Sequence, residues 1–152
     1  MKILADADAL PGTVKELLFK AAEREKVMLI MVANKLLRLN GSKYISSEQV
    51  ATGPDVADDR IVELAEAGDL VITADIPLAD RCVSKGATAL DPRGRLYSAS
   101  NVKEALAVRD LMNELRSGGL IGGGPAGFGT KDRQAFANAL DRYLIKCLKA
   151  RV

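Results

Sequence analysis

Short apolar runs alternate with longer amphipathic stretches along most of the chain. A short apolar run is typical of a buried strand, whereas apolar residues three and four positions apart are typical of one face of a helix. The predicted strands are 2–6 (KILAD), 27–33 (VMLIMVA), 48–51 (EQVA), 69–73 (DLVIT) and 87–90 (ATAL). The predicted helices are 11–26, 55–67, 76–85, 100–117 and 130–151. This alternation predicts an α/β fold with a mostly parallel central sheet and helices on both faces.

Two connections interrupt the pattern. Residues 34–47 form a long polar connection, and residues 117–129 (SGGLIGGGPAGFG) join the last two helices. The second segment lacks the Gly-Lys-Ser/Thr ending of a P-loop and the preceding strand of a dinucleotide-binding motif. We therefore interpret it as a flexible or tightly turned connector rather than a phosphate cradle.

The composition fits one globular domain over residues 1–152, with 48% hydrophobic and 28% charged residues. The charge is nearly balanced, 22 basic against 20 acidic residues, so a nucleic-acid surface would have to be a local patch. No stretch approaches the ~20 apolar residues of a membrane span, and we expect a cytoplasmic protein with no membrane partner. The two cysteines, Cys82 and Cys147, are expected to be buried thiols.

The chain contains no histidine. This absence excludes Ser-His-Asp and Cys-His nucleophile systems, histidine-containing zinc sites and a histidine general base. Catalysis near neutral pH would therefore depend on carboxylates, lysines or a metal-bound water.

Several carboxylates follow the predicted strands. Asp6 closes the first strand, and Asp8 returns to the same side two residues later if the chain stays extended. Asp75 follows the fourth strand, and Asp58 lies in the first turn of the second helix. Because open parallel sheets bind ligands beyond the carboxyl ends of their strands, these four acids are predicted to share one rim.

Asp58 and Asp59 are neighbours on that helix, and its periodicity separates them. Asp58 flanks the inward face, whereas Asp59 points away, so Asp58 is the predicted site residue and Asp59 is solvated or supports the site indirectly. The apolar stripe that defines the inward face is Ala57, Ile61, Leu64 and Ala65.

A helix-capping role is the alternative for some of these acids. Asp55 with Asp58, and Asp75 before Ile76 and Pro77, fit N-terminal caps, where the helix dipole favours negative charge. Asp6 ends a strand, which needs no such cap. Four carboxylates without counterions would repel each other, and a hard divalent cation, Mg²⁺ or Mn²⁺, would relieve that repulsion.

Four segments resemble the YaiI/YqxD family (UPF0178) of uncharacterised bacterial proteins, and together they span nearly the whole chain. The segments are DADALPG (6–12), GPDVADDRIVELAEAGDLVITADIPLADRCVSKGA (53–87), ALAVRDLMNELR (105–116) and GGPAGFGTKDRQAFANALDR (123–142). The family is grouped with PIN-like domains, so the resemblance implies a three-layer PIN-like fold and a metal-dependent ribonuclease site. PIN-like nucleases use acids after the first strand, on a central helix and after the fourth strand, which correspond here to Asp6, Asp58 and Asp75. Asp8 and Asp59 lie beside them within the same motifs.

The chain departs from the family pattern at a few positions. Family members commonly read DADACP where Leu10 stands here in place of the cysteine, so no metal role for that cysteine is needed. Gly127 and Gly129 stand where the family has proline and serine, which puts a rigid or serine-dependent role of that connector in doubt.

The leading hypothesis is a metal-dependent phosphodiesterase acting on RNA. Its metal ligands would be Asp6, Asp58 and Asp75, and Asp8 would bind or orient a water molecule. The polar connection carries three basic residues that are either phosphate contacts or ordinary solvated charges: Lys35, Arg38 and Lys43.

Two alternative functions remain. One is a non-catalytic nucleic-acid-binding or regulatory protein, although 4% aromatic residues leave little stacking surface. The other is a small-substrate phosphatase.

The last helix also carries basic residues. Arg142, Lys146 and Lys149 lie opposite its apolar side and are predicted to form a solvated face. The apolar side consists of Phe136, Leu140, Tyr143, Leu144 and Cys147.

Overall fold

The structure is a computed structural model that describes residues 1–39, 41–119 and 127–149. Its strands are β1 (Lys2–Asp6), β2 (Met28–Ala33), β3 (Ile45–Gln49), β4 (Leu70–Ile72), β5 (Thr88–Leu90) and β6 (Leu96–Tyr97). Its helices are α1 (Gly12–Glu25), α2 (Val56–Leu64), α3 (Ile76–Val83), α4 (Val102–Ser117) and α5 (Thr130–Lys149). A short 3₁₀ turn, Ala7–Ala9, follows β1.

The strands form one sheet in the order β3-β2-β1-β4-β5-β6. All neighbours are parallel except β6, which runs antiparallel to β5. The chain builds outward from β1 in one direction and then crosses to β4 on its other side. The β1–β4 boundary is therefore the point where the strand order reverses, and crevices form there in open α/β sheets.

Helices cover both faces of the sheet, which confirms the predicted α/β architecture and three layers. Alternate residues of β1 face opposite sides, with Ile3 and Ala5 in one apolar cluster and Leu4 in another. The first cluster includes Val14 and Leu18 of α1 and Phe136, Leu140 and Leu144 of α5. The second includes Ile61 of α2 and Leu78 and Cys82 of α3. Helix α4 packs beside α3 through a third cluster that includes Ala79, Val83, Val102 and Ala105.

Two strands differ from the prediction. β3 was expected at 48–51 but lies at Ile45–Gln49, where it pairs along β2 as an edge strand and buries only Ile45. Because most of its side chains are polar, the hydrophobic pattern of the sequence does not indicate a strand there. β6 was not predicted because it is only two residues long, and backbone pairing with β5 is what defines it.

Smaller differences concern the ends of elements. Helix α2 ends at Leu64 rather than 67, because Ala65 is already extended (φ −68°, ψ 135°) as the chain turns toward β4. The predicted connector 117–129 lies in part outside the described residues, as does the end of the last predicted helix beyond 149. Both cysteines are free thiols, as expected, although Cys147 is only partly buried. Within the described ranges, no helix has the length and apolar character to cross a membrane.

Candidate acidic site at the sheet edge

The site begins where β1 and β4 end side by side. Ala5 pairs with Ile72 in the parallel ladder, so the next residues, Asp6 and Thr73, emerge together at the carboxyl edge. The Thr73 hydroxyl donates a hydrogen bond to Asp6 Oδ2 over 3.2 Å. Asp6 is 7% exposed and Thr73 is fully buried. Asp6 is therefore a buried carboxylate at the reversal point of the strand order, and its side-chain hydrogen-bond partner among the described residues is the neutral Thr73 hydroxyl.

Asp75 is tied to the same threonine. Its backbone N–H donates to Thr73 Oγ1 over 3.0 Å, and its own Oδ1 accepts from the Leu78 N–H over 3.0 Å. The second bond caps α3, with Pro77 in the first turn, which confirms the N-cap prediction for Asp75. Capping uses only one oxygen of that carboxylate, so a cap and a ligand role are compatible.

The acids of α2 occupy different environments. Asp58 is partly buried, whereas Asp59 is exposed and pairs with Arg81 over 2.9 Å. This confirms the predicted difference between the two residues. The predicted cap by Asp55 is wrong: the residue is left-handed (φ 63°) and its side chain makes no capping bond. Capping requires an extended backbone, which places the side-chain oxygen over the first free N–H groups.

Asp8 departs from the expected geometry. The chain does not stay extended after β1 but enters the 3₁₀ turn Ala7–Ala9, and Asp8 is exposed. Its Oδ2 accepts from the Asn34 N–H over 2.7 Å. Because Asn34 follows β2, Asp8 joins the β1 loop to the β2 loop.

The electrostatics of Asp6 link the four acids. Burial is the largest cause that raises its pKa from 3.8 to about 6. The negative charges of Asp58, Asp75 and Asp8 raise the pKa further, and the hydrogen bond from Thr73 lowers it. The other three predicted acids therefore lie close enough to Asp6 to raise its pKa.

Asp58 shows the same effect. Burial and then the charges of Asp75 and Asp55 raise its pKa, while Arg81 lowers it. Among the described residues, Asp6, Asp8, Asp58 and Asp75 form no salt bridge with lysine or arginine. The rim thus carries concentrated negative charge with little compensation.

A family match agrees with the sequence resemblance. The model described as uncharacterized BCR, YaiI/YqxD family, matches residues 4–146. The chain belongs to the YaiI/YqxD family. A UPF0178 protein of Maridesulfovibrio salexigens is 55% identical over 148 residues, 97% of this chain and 98% of the relative. UPF0178 proteins of Dechloromonas aromatica and Shewanella sp. strain MR-7 are 53% and 54% identical, covering 96% and 95% of this chain and 97% and 95% of theirs. No solved structure matches the chain.

The donor atoms of the rim are of the type that a hard divalent cation prefers, but the side chains are not close enough together to form a ligand set. Mg²⁺ and Mn²⁺ prefer carboxylate oxygens, and the buried, uncompensated Asp6 carboxylate would be favoured by a nearby cation. However, across the described parts of this YaiI/YqxD protein, no three acidic or cysteine side chains are grouped closely enough to hold a metal ion. The acids are gathered, but they do not form a closed ligand set.

The three basic residues of the polar connection are not brought to one place. Lys35 directly follows Asn34 at the carboxyl edge of β2, and Arg38 lies further along; both are exposed. Lys43 lies just before β3 starts, at the opposite edge of this parallel pair, with Nζ 5.2 Å from the Tyr44 ring centroid. Of the three, Lys35 is the one whose backbone adjoins a predicted acid through the Asn34–Asp8 bond.

Thr73 is the site residue that sequence reasoning missed. It is the last residue of the predicted strand DLVIT, two positions before Asp75. A polar residue that ends an otherwise apolar strand, beside a strand ending in aspartate, was the available signal. Only the pairing of β1 with β4 turns that signal into a contact with Asp6.

Proposed function

We propose that this YaiI/YqxD protein is a Mg²⁺- or Mn²⁺-dependent phosphodiesterase that cleaves RNA. The observation that carries the proposal is the gathering of Asp8, Asp58 and Asp75 around the buried Asp6 carboxylate, at the point where the strand order reverses. The resemblance to PIN-like nucleases adds to it. The absence of histidine also fits, because such a site needs only carboxylates and a metal-bound water.

The proposed roles follow from the positions of the acids. Asp6, Asp58 and Asp75 would hold the ion, which when bound lowers the pKa of a water molecule and stabilises charge on a phosphate. Thr73 holds the Asp6 carboxylate and the Asp75 backbone in a fixed relation through its two hydrogen bonds. Asp8, held by the Asn34 N–H, would orient a water molecule from the neighbouring loop.

RNA is the proposed substrate class because Lys35 follows Asn34, whose N–H binds Asp8 at the rim, and Arg38 lies three residues further along the same connection. Lys35 and Arg38 are exposed and form no ion pair within the described residues. Basic side chains that contact phosphates position a nucleic-acid strand without reading its sequence. Lys43 lies at the opposite edge and is not given this role.

Cleavage of a mixed set of labelled RNAs in Mn²⁺ tests the proposal. The Asp6→Asn, Asp75→Asn double variant should lose at least about 100-fold in rate, because two of three proposed ligands lose their charge. A matched control is Asp110→Asn, Asp141→Asn, which removes two exposed acids of α4 and α5. Equal rates in the wild type and the Asp6, Asp75 variant would exclude this mechanism.

A non-catalytic nucleic-acid-binding or regulatory protein is the second candidate. It is favoured by the lack of a closed three-ligand group among the described residues. RNA binding that depends on Lys35 and Arg38, together with no cleavage at any metal concentration, would select this candidate. Hydrolysis of para-nitrophenyl phosphate without RNA cleavage would instead select a phosphatase.

A further inference from the structure

A second concave site, separate from the acidic rim, lies beside β5 and β6. It is a cavity of about 450 Å³ between α5 and the strands β5 and β6, of which β6 is the sheet edge. Leu96 of β6 and Ser98, which follows the strand, both line the cavity on the side that faces α5. Thr88 of β5 lines it too, one residue before the Ala89–Tyr97 pair of the β5–β6 ladder. The facing wall is α5, with Arg142, Tyr143 and Lys146. The cavity shares no residue with the acidic site.

The cavity exists because α5 covers the middle of the sheet and not its edge. Phe136, Leu140 and Leu144 pack against β1 and β4 side chains in the larger core cluster. Tyr97 of β6 points to the other face, into the cluster with α3 and α4. The α5-facing side of β6 is therefore left open, and Leu96 is 39% exposed there.

Two cationic side chains, Arg142 and Lys146, line this cavity. Arg142 and Lys146 are four residues apart on α5, so they lie on the same side of the helix. Both are exposed, as predicted, and neither forms an ion pair or hydrogen bond within the described ranges. The prediction of a plain solvated face omitted what lies across from them: an apolar cavity with the hydroxyl-bearing residues Thr88 and Ser98 on its far side.

The apolar lining together with the two cations favours one class of ligand. Small-molecule sites are mostly apolar concavities of roughly 300–1,000 Å³ with a few polar groups that fix orientation. An arginine fork beside a lysine favours phosphate, which accepts several charge-assisted hydrogen bonds. Leu96 and the Tyr143 ring offer apolar surface to a flat body. The Ser98 hydroxyl is bonded to Ser100 over 2.9 Å and the Thr88 hydroxyl to Tyr143, and each keeps a further hydrogen-bonding position for a polar substituent. We infer that this cavity binds a small organic monophosphate of about nucleotide size.

Calorimetric titration with adenosine 5′-monophosphate tests the inference, with adenosine as the probe that lacks the phosphate. The buffer contains EDTA, and the titration is repeated in Asp6→Asn so that the acidic rim does not contribute. We expect one site per chain, equal affinity in Asp6→Asn, and at least about tenfold weaker binding of adenosine, since charge-assisted bonds to phosphate are lost.

Matched variants locate the binding. Arg142→Gln, Lys146→Gln should weaken binding of the monophosphate at least about tenfold. Lys131→Gln, Lys149→Gln, which removes two exposed cations of the same helix outside the cavity, should leave it unchanged. Leu96→Trp, which fills the cavity without changing charge, should also weaken binding. No binding at millimolar adenosine 5′-monophosphate, or equal affinity in the cavity and control variants, would overturn the inference.

Discussion

The Thr73 hydroxyl donates a hydrogen bond to the Asp6 carboxylate over 3.2 Å. The same oxygen accepts from the Asp75 N–H over 3.0 Å, so one buried side chain connects the loops after β1 and β4. The bond lowers the pKa of Asp6, but burial and the neighbouring acids outweigh it. The ionised Asp6 carboxylate is therefore expected to destabilise the folded state at neutral pH.

Asp6→Asn should stabilise the protein at neutral pH in the absence of divalent ions. The pKa of Asp6 is raised from 3.8 to about 6 in the fold, so the folded state binds its proton more tightly than the unfolded state. Stability is thus undiminished below pH ~4, falls as pH rises from ~4 to ~6, and stays low above, by about 2–3 kcal/mol at most. Asparagine removes the ionisation and keeps an acceptor for Thr73.

Urea unfolding in EDTA between pH 4 and pH 8 measures this effect. The stability difference between Asp6→Asn and wild type should be smallest near pH 4 and largest above pH 6. Asp141→Asn is the control, because among the described residues that exposed acid forms its ion pair with the exposed Arg24. An Asp6→Asn variant that is less stable than wild type at pH 7.5 would contradict the prediction.

Mn²⁺ should stabilise the wild type by binding the folded state alone. A ligand at 100 times its Kd adds about 2.7 kcal/mol, so the unfolding temperature should rise with Mn²⁺ concentration. Asp6→Asn should lose this response, because it removes the buried carboxylate at the centre of the rim. Scanning calorimetry with Mn²⁺ and with Ca²⁺ as a comparison ion measures it. An unchanged wild-type transition at millimolar Mn²⁺ would leave the acids as structural groups.

Thr73→Val should loosen the link between the two loops while keeping the side-chain shape. The change removes the donor to Asp6 and the acceptor for the Asp75 N–H, and the lost hydrogen bonds cost about 1–3 kcal/mol. Urea unfolding gives the stability, and titration calorimetry gives the Mn²⁺ affinity, which should also fall. Thr73→Ser keeps the hydroxyl and should restore both. Equal Mn²⁺ affinity in the valine and serine variants would show that Thr73 does not position the site.

The sequence could predict the acidic rim because that prediction depends on few facts. Strand ends and the rule for parallel sheets suffice to bring Asp6 and Asp75 to one edge. Asp8 was placed less well, because a 3₁₀ turn of three residues leaves no periodic signal. The contact of Thr73 with Asp6 and the cavity beside Arg142 needed the strand order, which the hydrophobic pattern does not contain.

Gly94→Ala should be strongly destabilising, because this glycine lies where the β5–β6 turn meets α5. Its φ is +94°, and an added Cβ would lie 2.7 Å from the carbonyl oxygen of Ala135 on α5. A left-handed alanine and the forced displacement of a helix backbone together cost about 2–4 kcal/mol. Gly12→Ala is the matched control, since its added Cβ would meet nothing within 4 Å. Urea unfolding should separate the two variants by at least about 2 kcal/mol. Because Gly94 also lines the cavity, displacement of α5 should weaken adenosine 5′-monophosphate binding as well. Equal stability of the two alanine variants would mean that the turn and α5 are not in this close contact.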